Sequence, residues 1–577
     1  VLLHPHFHIF SLAQSARIMK RLFFLLAAFV AISASACTNF LVGKKASKTG
    51  ATFISYNMDS YGMYGVLKYY PAGKHAAGEV RRIVDGDTNH YLRDIPEASE
   101  TYAVMGLMNE FQLSIMETTF GGREELYPKN PEGGIDYPSL MALGLQRAKT
   151  AREAIQVMGD LVDKYGYSGE GESFSVADPN EIWILEMIGK GDEAKGAVWV
   201  AVRIPDDCIA AHANQSRIHK FAQSKKIDKK LGIFVAGGGD VMYSKDVITF
   251  AREKGYFNGN DADFSFADAY APADFGSQRF CDARAWSFFN RFVDGMDRYV
   301  DFVDGRHIGT SEVMPLYFKP NRLLDLSDVI AANQDHYEGT PFDFQEDINS
   351  GVYQSAYLPT PLTYEYDGKK YFNERPISTQ QSACTFIAQM RGWLPNEIGG
   401  VLWFGNDEPN MVAYTPMYCG ATRVPECYAE GTADDHTFSW KSAFWVCNWV
   451  ANMTYPRYSV LFPAVKAVRD ELQQKYISEQ ANTDAKAQEL LAQNSTTCRQ
   501  YLTDYSVNTA QDMLTRWKEL GEYLIVKFND QAVKKEKDGK FELTEDGICV
   551  SPERPGFPQN YRAKIVKETG TKYQMPE

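Results

Sequence analysis

The chain lacks the usual signatures of metal chemistry. It contains no C-x-x-C and no H-E-x-x-H, so neither a zinc ribbon nor a zincin centre is expected. Histidine is sparse, with ten in 577 residues, and His75, His90, His212, His219, His307, His336 and His436 show no metal-ligand spacing. Long apolar runs are also missing. Leu22–Ile32 is the most apolar stretch, and it falls short of the roughly 20 residues that span a bilayer. Basic residues are in deficit, 60 against 74 acids, for a net charge of −14. A chain of that sign repels phosphate backbones, which argues against nucleic acid as a partner. No internal repeat or low-complexity linker marks a domain boundary. Gly237-Gly238-Gly239-Asp240 lacks phosphate-loop spacing and reads as a turn. What remains is ordinary globular composition, 44% hydrophobic and 23% charged, which excludes a disordered tail, a fibre and a multi-span membrane protein. The 34 Phe, 33 Tyr and 9 Trp suit a large core and a lined cleft.

The one compositional break is at the start. Residues 1–36 hold no Asp or Glu. Met19 is followed by Lys20-Arg21, the Leu22–Ile32 run and Ala34-Ser35-Ala36, the three-part grammar of a secretory signal peptide ending in an A-x-A cleavage signal. Val1-Leu2-Leu3-His4 is not a normal start, so residues 1–18 read as translated upstream sequence and 19–36 as the signal peptide. The expected mature chain begins at Cys37, is exported to the periplasm or the medium, and carries no transmembrane span. Loss of Arg17, Lys20 and Arg21 makes it more acidic by three charges.

Two opposed chemistries begin with a cysteine at that place. A lipoprotein acylates it; an N-terminal-nucleophile hydrolase uses its thiol to attack a carbonyl and its free α-amine as the base. The lipobox calls for a large aliphatic residue where this chain has Ala34, and a tether where this chain has Thr38-Asn39-Phe40-Leu41-Val42-Gly43, which is strand-forming material. Lys48-Thr49-Gly50 reads as a turn and Ala51–Tyr56 as the returning strand. A free amine titrates near 7.7–8.0 and a thiol near 8.5, so proton transfer between them is feasible at neutral pH. Eight further cysteines permit disulfides in an exported protein, Cys419 and Cys427 being the closest pair; buried free thiols are the equal alternative.

These residues resemble the dipeptidase A family of N-terminal-nucleophile cysteine hydrolases, whose wider relatives are penicillin V acylases and bile salt hydrolases. The matching pieces are Cys37–Ser47 with Asn57-Met58-Asp59-Ser60; Val104–Glu110 running on to Leu113 and Glu117-Thr118-Thr119; Ser173–Asp178 with Glu181–Glu186; Trp199–Arg203 with Pro205-Asp206-Asp207 and Ala213-Asn214; then Leu394-Pro395, Gly399–Trp403, Leu502-Thr503 and Tyr505-Ser506. The resemblance implies an αββα sandwich, two antiparallel sheets between helix layers, in the α+β class. Phe174–Ala177, Ile182–Glu186 and Ala197–Ile204 fit as strands, and Ser139–Tyr165 as a helix pair with a capping-box-like start at Thr150. Val465–Asn494 and Thr509–Phe528 read as C-terminal helices, compatible with a subunit contact. Residues 37–300 are expected to hold the catalytic core and 301–577 the remainder of the peptidase unit.

By resemblance, Cys37 is the nucleophile and no metal or organic cofactor is needed. Asp59 holds its thiol or amine, Asn109 helps form the oxyanion hole, Asn214 stands near the amine, and Arg284 completes the polar network. Each has a plainer reading: a turn-capping carboxylate for Asp59, turn or loop residues for Asn109 and Asn214, a surface ion pair for Arg284. The acylase relatives carry Arg three residues before the aspartate, where this chain has Tyr56. That departure and the extra C-terminal length favour the dipeptidase branch, with short peptides as substrate. The competing expectations are an N-acyl amide hydrolase, a transferase in which an amine replaces water, and a non-catalytic peptide-binding lipoprotein. Asn452-Met453-Thr454 and Asn494-Ser495-Thr496 fit a glycosylation pattern that also arises by chance.

Overall fold

The computed structural model describes residues 37–577 except 87, 130–132 and 360. The upstream segment and signal peptide expected in residues 1–36 lie outside the described residues.

The long strands are β1 (Thr38–Val42), β2 (Thr52–Asp59), β3 (Ser114–Gly121), β4 (Gly171–Ala177), β5 (Ile182–Gly189), β6 (Ala197–Ile204), β7 (Ile209–His212), β8 (Ser382–Met390), β9 (Gly400–Asn406) and β10 (Thr415–Tyr418). A seven-stranded sheet runs Tyr317–Phe318, β7, β1, β2, β8, β9, β10. A nine-stranded sheet runs Phe234–Ala236, Val241–Tyr243, β6, β5, β4, β3, Met108–Asn109, Val104–Met105, Tyr69–Tyr70. All of these pairings are antiparallel. β1 and β2 form the expected hairpin, with Thr38 opposite Asn57 and Val42 opposite Phe53. β1 stops at Gly43, where any Cβ would sit 2.3 Å from the carbonyl oxygen of Asp206.

Strand alternation distributes side chains between two cores. Along β5, Ile184 joins the core shared with β1 and β2, while Trp183 and Leu185 face the other way. There they meet Leu140, Ile155 and Met158 of α1 (Tyr137–Arg147) and α2 (Ala151–Tyr165). Thr150 caps α2, its side chain accepting from the Glu153 N–H at 3.3 Å. The seven-stranded sheet is covered by α3 (Ala283–Asn290), α4 (Ala443–Thr454), α5 (Tyr458–Gln493) and α6 (Ser495–Phe528), through residues such as Phe288, Val450, Leu472 and Trp517. The αββα sandwich with added C-terminal helices is therefore present. None of these helices, nor any other helix among the described residues, is long and apolar enough to cross a membrane.

Two expectations need correction. The catalytic core does not end at 300: β8, β9 and β10 complete the sheet that carries Cys37. The C-terminal helices start earlier than their periodicity suggested. Pro463 lies inside α5 and obscures its first turns, while the Asn494 side chain caps α6 by accepting from the Thr496 and Thr497 N–H groups at 2.8 and 3.2 Å. Of the two alternatives left open for the cysteines, Cys419 and Cys427 take that of unbridged buried thiols.

Candidate active site

Cys37 lies at the head of β1, fully buried. Its carbonyl oxygen accepts from Nη1 of Arg284 at 2.6 Å, and the same nitrogen donates to Thr38 Oγ1 at 2.6 Å. The second arm of the guanidinium donates to the Ala213 carbonyl at 3.1 Å and to Oδ1 of Asn214 at 2.9 Å. Nε donates to the Phe280 carbonyl at 2.6 Å. Arg284 thus ties α3 to the first residue of β1 and to the segment after β7. Asn214 has a left-handed backbone, φ +63°, which Asn tolerates better than most residues, and its amide donates to the Thr119 carbonyl at 2.6 Å.

Asp59 closes β2, the strand paired with β1, and so lies beside the head of β1 where Cys37 stands. Its carboxylate is held by Arg375 at 2.6 Å and by the Ser382 hydroxyl. Burial raises the Asp59 carboxyl, while Arg375, Ser382 and Arg284 pull it down. On the other side of the sulfur, the Tyr56 hydroxyl stands 3.5 Å away and donates to Glu117 of β3, whose Oε1 is 3.9 Å from the sulfur. Burial, then the charges of Glu117 and Asp59, push the Cys37 thiol well above its ordinary range; the contacts from Tyr56 and the Asp59 N–H offset this in part. With the thiol held protonated in this way, attack on a carbonyl requires a base or a cation beside it.

The structure brings together four of the five expected residues: Cys37, Asp59, Asn214 and Arg284. Asn109 has another job. Its amide nitrogen donates to the Leu145 and Ala148 carbonyls, both at 2.8 Å, and its oxygen accepts from Phe111 N at 2.9 Å and Leu113 N at 3.1 Å. All four of its hydrogen-bonding positions are filled, so no donor is left for an oxyanion. Its plainer reading as a turn residue is the one its geometry supports.

Arg375, Ser382 and Glu117 were given no role from sequence. Glu117 sat in a matched motif, and Tyr56 was noted as a departure. Arg375 carried no local signal at all, since its partner Asp59 is more than three hundred residues away. His212 ends β7 and links the sheets, contacting Thr118 Oγ1 at 2.7 Å and Ser175 Oγ at 2.8 Å. Burial lowers its pKa to about 3, so it is a neutral structural group. Asp434, Asp435 and His436 bring three ligand-type atoms together on a surface turn, a cluster the spacing argument had not anticipated.

The model of peptidase family C69 matches residues 78–471, a span that contains Glu117, Asn214, Arg284 and Arg375 but not Cys37 or Asp59. A probable dipeptidase of Latilactobacillus sakei is 25% identical over 487 residues, covering 82% of this chain and 91% of that protein. Dipeptidase A of Lactobacillus helveticus is 25% identical over 518 residues, 85% of this chain and 97% of that protein. A dipeptidase of Bifidobacterium longum is 29% identical over 426 residues, 69% of this chain and 73% of its own length. Among solved structures, penicillin V acylase from Agrobacterium tumefaciens is 12% identical with a TM-score of 0.25, covering 64% of this chain and 83% of that one. With a family match extending over more than half of its length, the chain belongs to peptidase family C69.

Proposed function

We propose that this protein is an exported cysteine dipeptidase whose nucleophile is the thiol of Cys37, made N-terminal by cleavage after Ala36. The relatives named dipeptidase over most of their lengths support the substrate class. The observation that carries the mechanism is the convergence on Cys37: Arg284 holds its carbonyl at 2.6 Å while the Tyr56 hydroxyl and Glu117 Oε1 stand 3.5 and 3.9 Å from its sulfur. A structural cysteine needs neither constraint.

Cleavage turns the amide nitrogen of Cys37 into an amine. That amine takes the thiol proton, and the ammonium so formed offsets the Glu117 and Asp59 charges that hold the thiol protonated. The thiolate attacks the scissile carbonyl, the amide C–N bond breaks, and the ammonium proton goes to the leaving amine. Water then attacks the thioester, releases the acid and restores the thiol. Arg284 and Asp59 act as positioning residues. Oxyanion stabilisation falls to backbone N–H groups and to Asn214, whose amide would exchange the Thr119 carbonyl for substrate.

The test joins two measurements. The mature protein isolated from its host should yield an N-terminal peptide beginning with unmodified Cys37, and Cys37→Ala should lower dipeptide turnover by at least about 10⁴-fold. A lipidated Cys37, or activity surviving in the variant, defeats the mechanism.

A further inference from the structure

A dipeptide differs from an acyl amide in one charge, the α-ammonium next to the scissile carbonyl. The wall of the site nearest the nucleophile is strongly acidic. Glu117 Oε1 is 3.9 Å from the Cys37 sulfur. Glu117 pairs opposite Phe174, and Thr119, two residues along the same face of β3, pairs opposite Glu172 of β4. Both glutamates are 1% exposed. Oε1 of Glu172 accepts from the Thr119 hydroxyl at 2.6 Å, and its other oxygen is buried without a donor. The Tyr167 hydroxyl, on a side chain 5% exposed, is likewise buried without a partner, and Glu172 is the charge that affects it most. Burial first, then the charge of Glu117 and a carboxyl–carboxyl hydrogen bond to it, push the Glu172 carboxyl well above the ordinary carboxylate range, and Glu170 adds to this. Two carboxyl groups in this arrangement need a shared proton or a cation between them.

Reach selects which cation fits. A carbonyl carbon poised for attack lies about 3–3.5 Å from the sulfur. The α-nitrogen is two bonds further, about 1.5 Å each, so it falls roughly 4–5 Å from the sulfur. An acceptor at the Glu117 position is within hydrogen-bond reach of that nitrogen, whereas a side-chain amine on the same residue would overshoot it.

We propose that Glu117 and Glu172 form the acceptor site for the substrate's α-ammonium, with Tyr56 orienting Glu117 and Tyr167 beside Glu172, so that this pair restricts the enzyme to peptides with a free amino terminus. The inference rests on the dipeptidase reading. Its rival is that the pair serves only the α-amine of Cys37 itself.

The experiment compares a free dipeptide with its N-acetylated counterpart. In the wild type kcat/KM favours the free dipeptide, and Glu172→Gln should lower that ratio roughly 10- to 100-fold, the range for a charged hydrogen-bonded pair, mainly through KM. Where the acetylated peptide turns over too slowly to measure, the same ratio is read as relative affinity by calorimetry in the Cys37→Ala background. Circular dichroism and thermal melting establish that the variant folds; should it not, Tyr56→Phe and Glu117→Gln carry the same readout. A ratio unchanged in the folded variants, or an equal loss of kcat for both substrates, overturns the inference in favour of a role toward Cys37. A wild type that cleaves acyl amides but no dipeptide overturns the reading beneath it, a separate result visible before any glutamate is changed.

Discussion

The two sheets of the sandwich are assembled in different ways. The nine-stranded sheet is drawn from residues 69–243, and its central strands β3 to β6 are neighbours in sequence as well as in space. The seven-stranded sheet joins the beginning of the described chain to its second half: Thr52 lies opposite Met390, and Asp59 opposite Ser382. Cys37 sits on this second, non-local sheet. The segment that completes it also delivers Arg375 to Asp59, because Arg375 lies shortly before β8. Closing so long a loop costs entropy before any contact rewards it. The candidate site is therefore complete only when the whole sheet is, and the Asp59–Arg375 pair ties it to folding.

That coupling gives the largest expected effect. Arg375 and Asp59 are 1% and 0% exposed at their side chains. Removing one partner strands the other's charge in the core, so Arg375→Met should cost about 3–5 kcal/mol in urea unfolding. The control lies beside the local sheet: Arg152 of α2, 40% exposed, bridges Glu181 in the turn between β4 and β5 at 2.7 Å, and Arg152→Met should cost no more than about 1 kcal/mol. If the two variants cost the same, the distinction between the sheets has no energetic content.

The same contrast explains what could be read from sequence. β6 was delimited as observed, and β4 and β5 were placed with their ends cut short, because an apolar run bounded by turns needs no distant partner to be recognised. The β1–β2 hairpin was legible for the same reason. β8 is an equally buried strand, yet it went unassigned, since nothing within its own stretch says that it lies beside β2. Cys37, Asp59, Asn214 and Arg284, which the structure brings together, were singled out through motif resemblance, which carries distant information that periodicity does not. Arg375 and Glu172 lay outside those motifs. Asn109 lay inside one and was given the wrong job, because a motif preserves a turn as readily as a catalytic group.

His212 tests the seam between the sheets. It is neutral in the folded protein, with a pKa near 3 against an unfolded value of about 6.5. The unfolded chain therefore binds the extra proton between those values, and folding stability falls as pH drops from 6.5 toward 3; above 6.5 the contribution is fully present. Between pH 6.5 and 4 the loss should be on the order of 3 kcal/mol. His212→Asn, with no group titrating there, should flatten that part of the curve in urea unfolding followed against pH. An unchanged acid slope would mean that the sheets are held together at this point without reference to His212.

Asn109 provides the smallest effect and the sharpest separation of structure from chemistry. On the local sheet its amide satisfies two carbonyls at the end of α1 and two N–H groups in the turn before β3. Asn109→Ala leaves those groups to find water or go unpaired, which should cost about 2 kcal/mol and lower the melting temperature. Because no part of the amide is available to substrate, kcat and KM of the folded fraction should stay at wild-type values. An oxyanion donor behaves in the opposite way, since removing one typically lowers kcat about 10²–10³-fold with little change in stability. Measuring melting temperature and kcat on the same preparation decides between them. A large fall in kcat at unchanged stability would return Asn109 to the reaction centre.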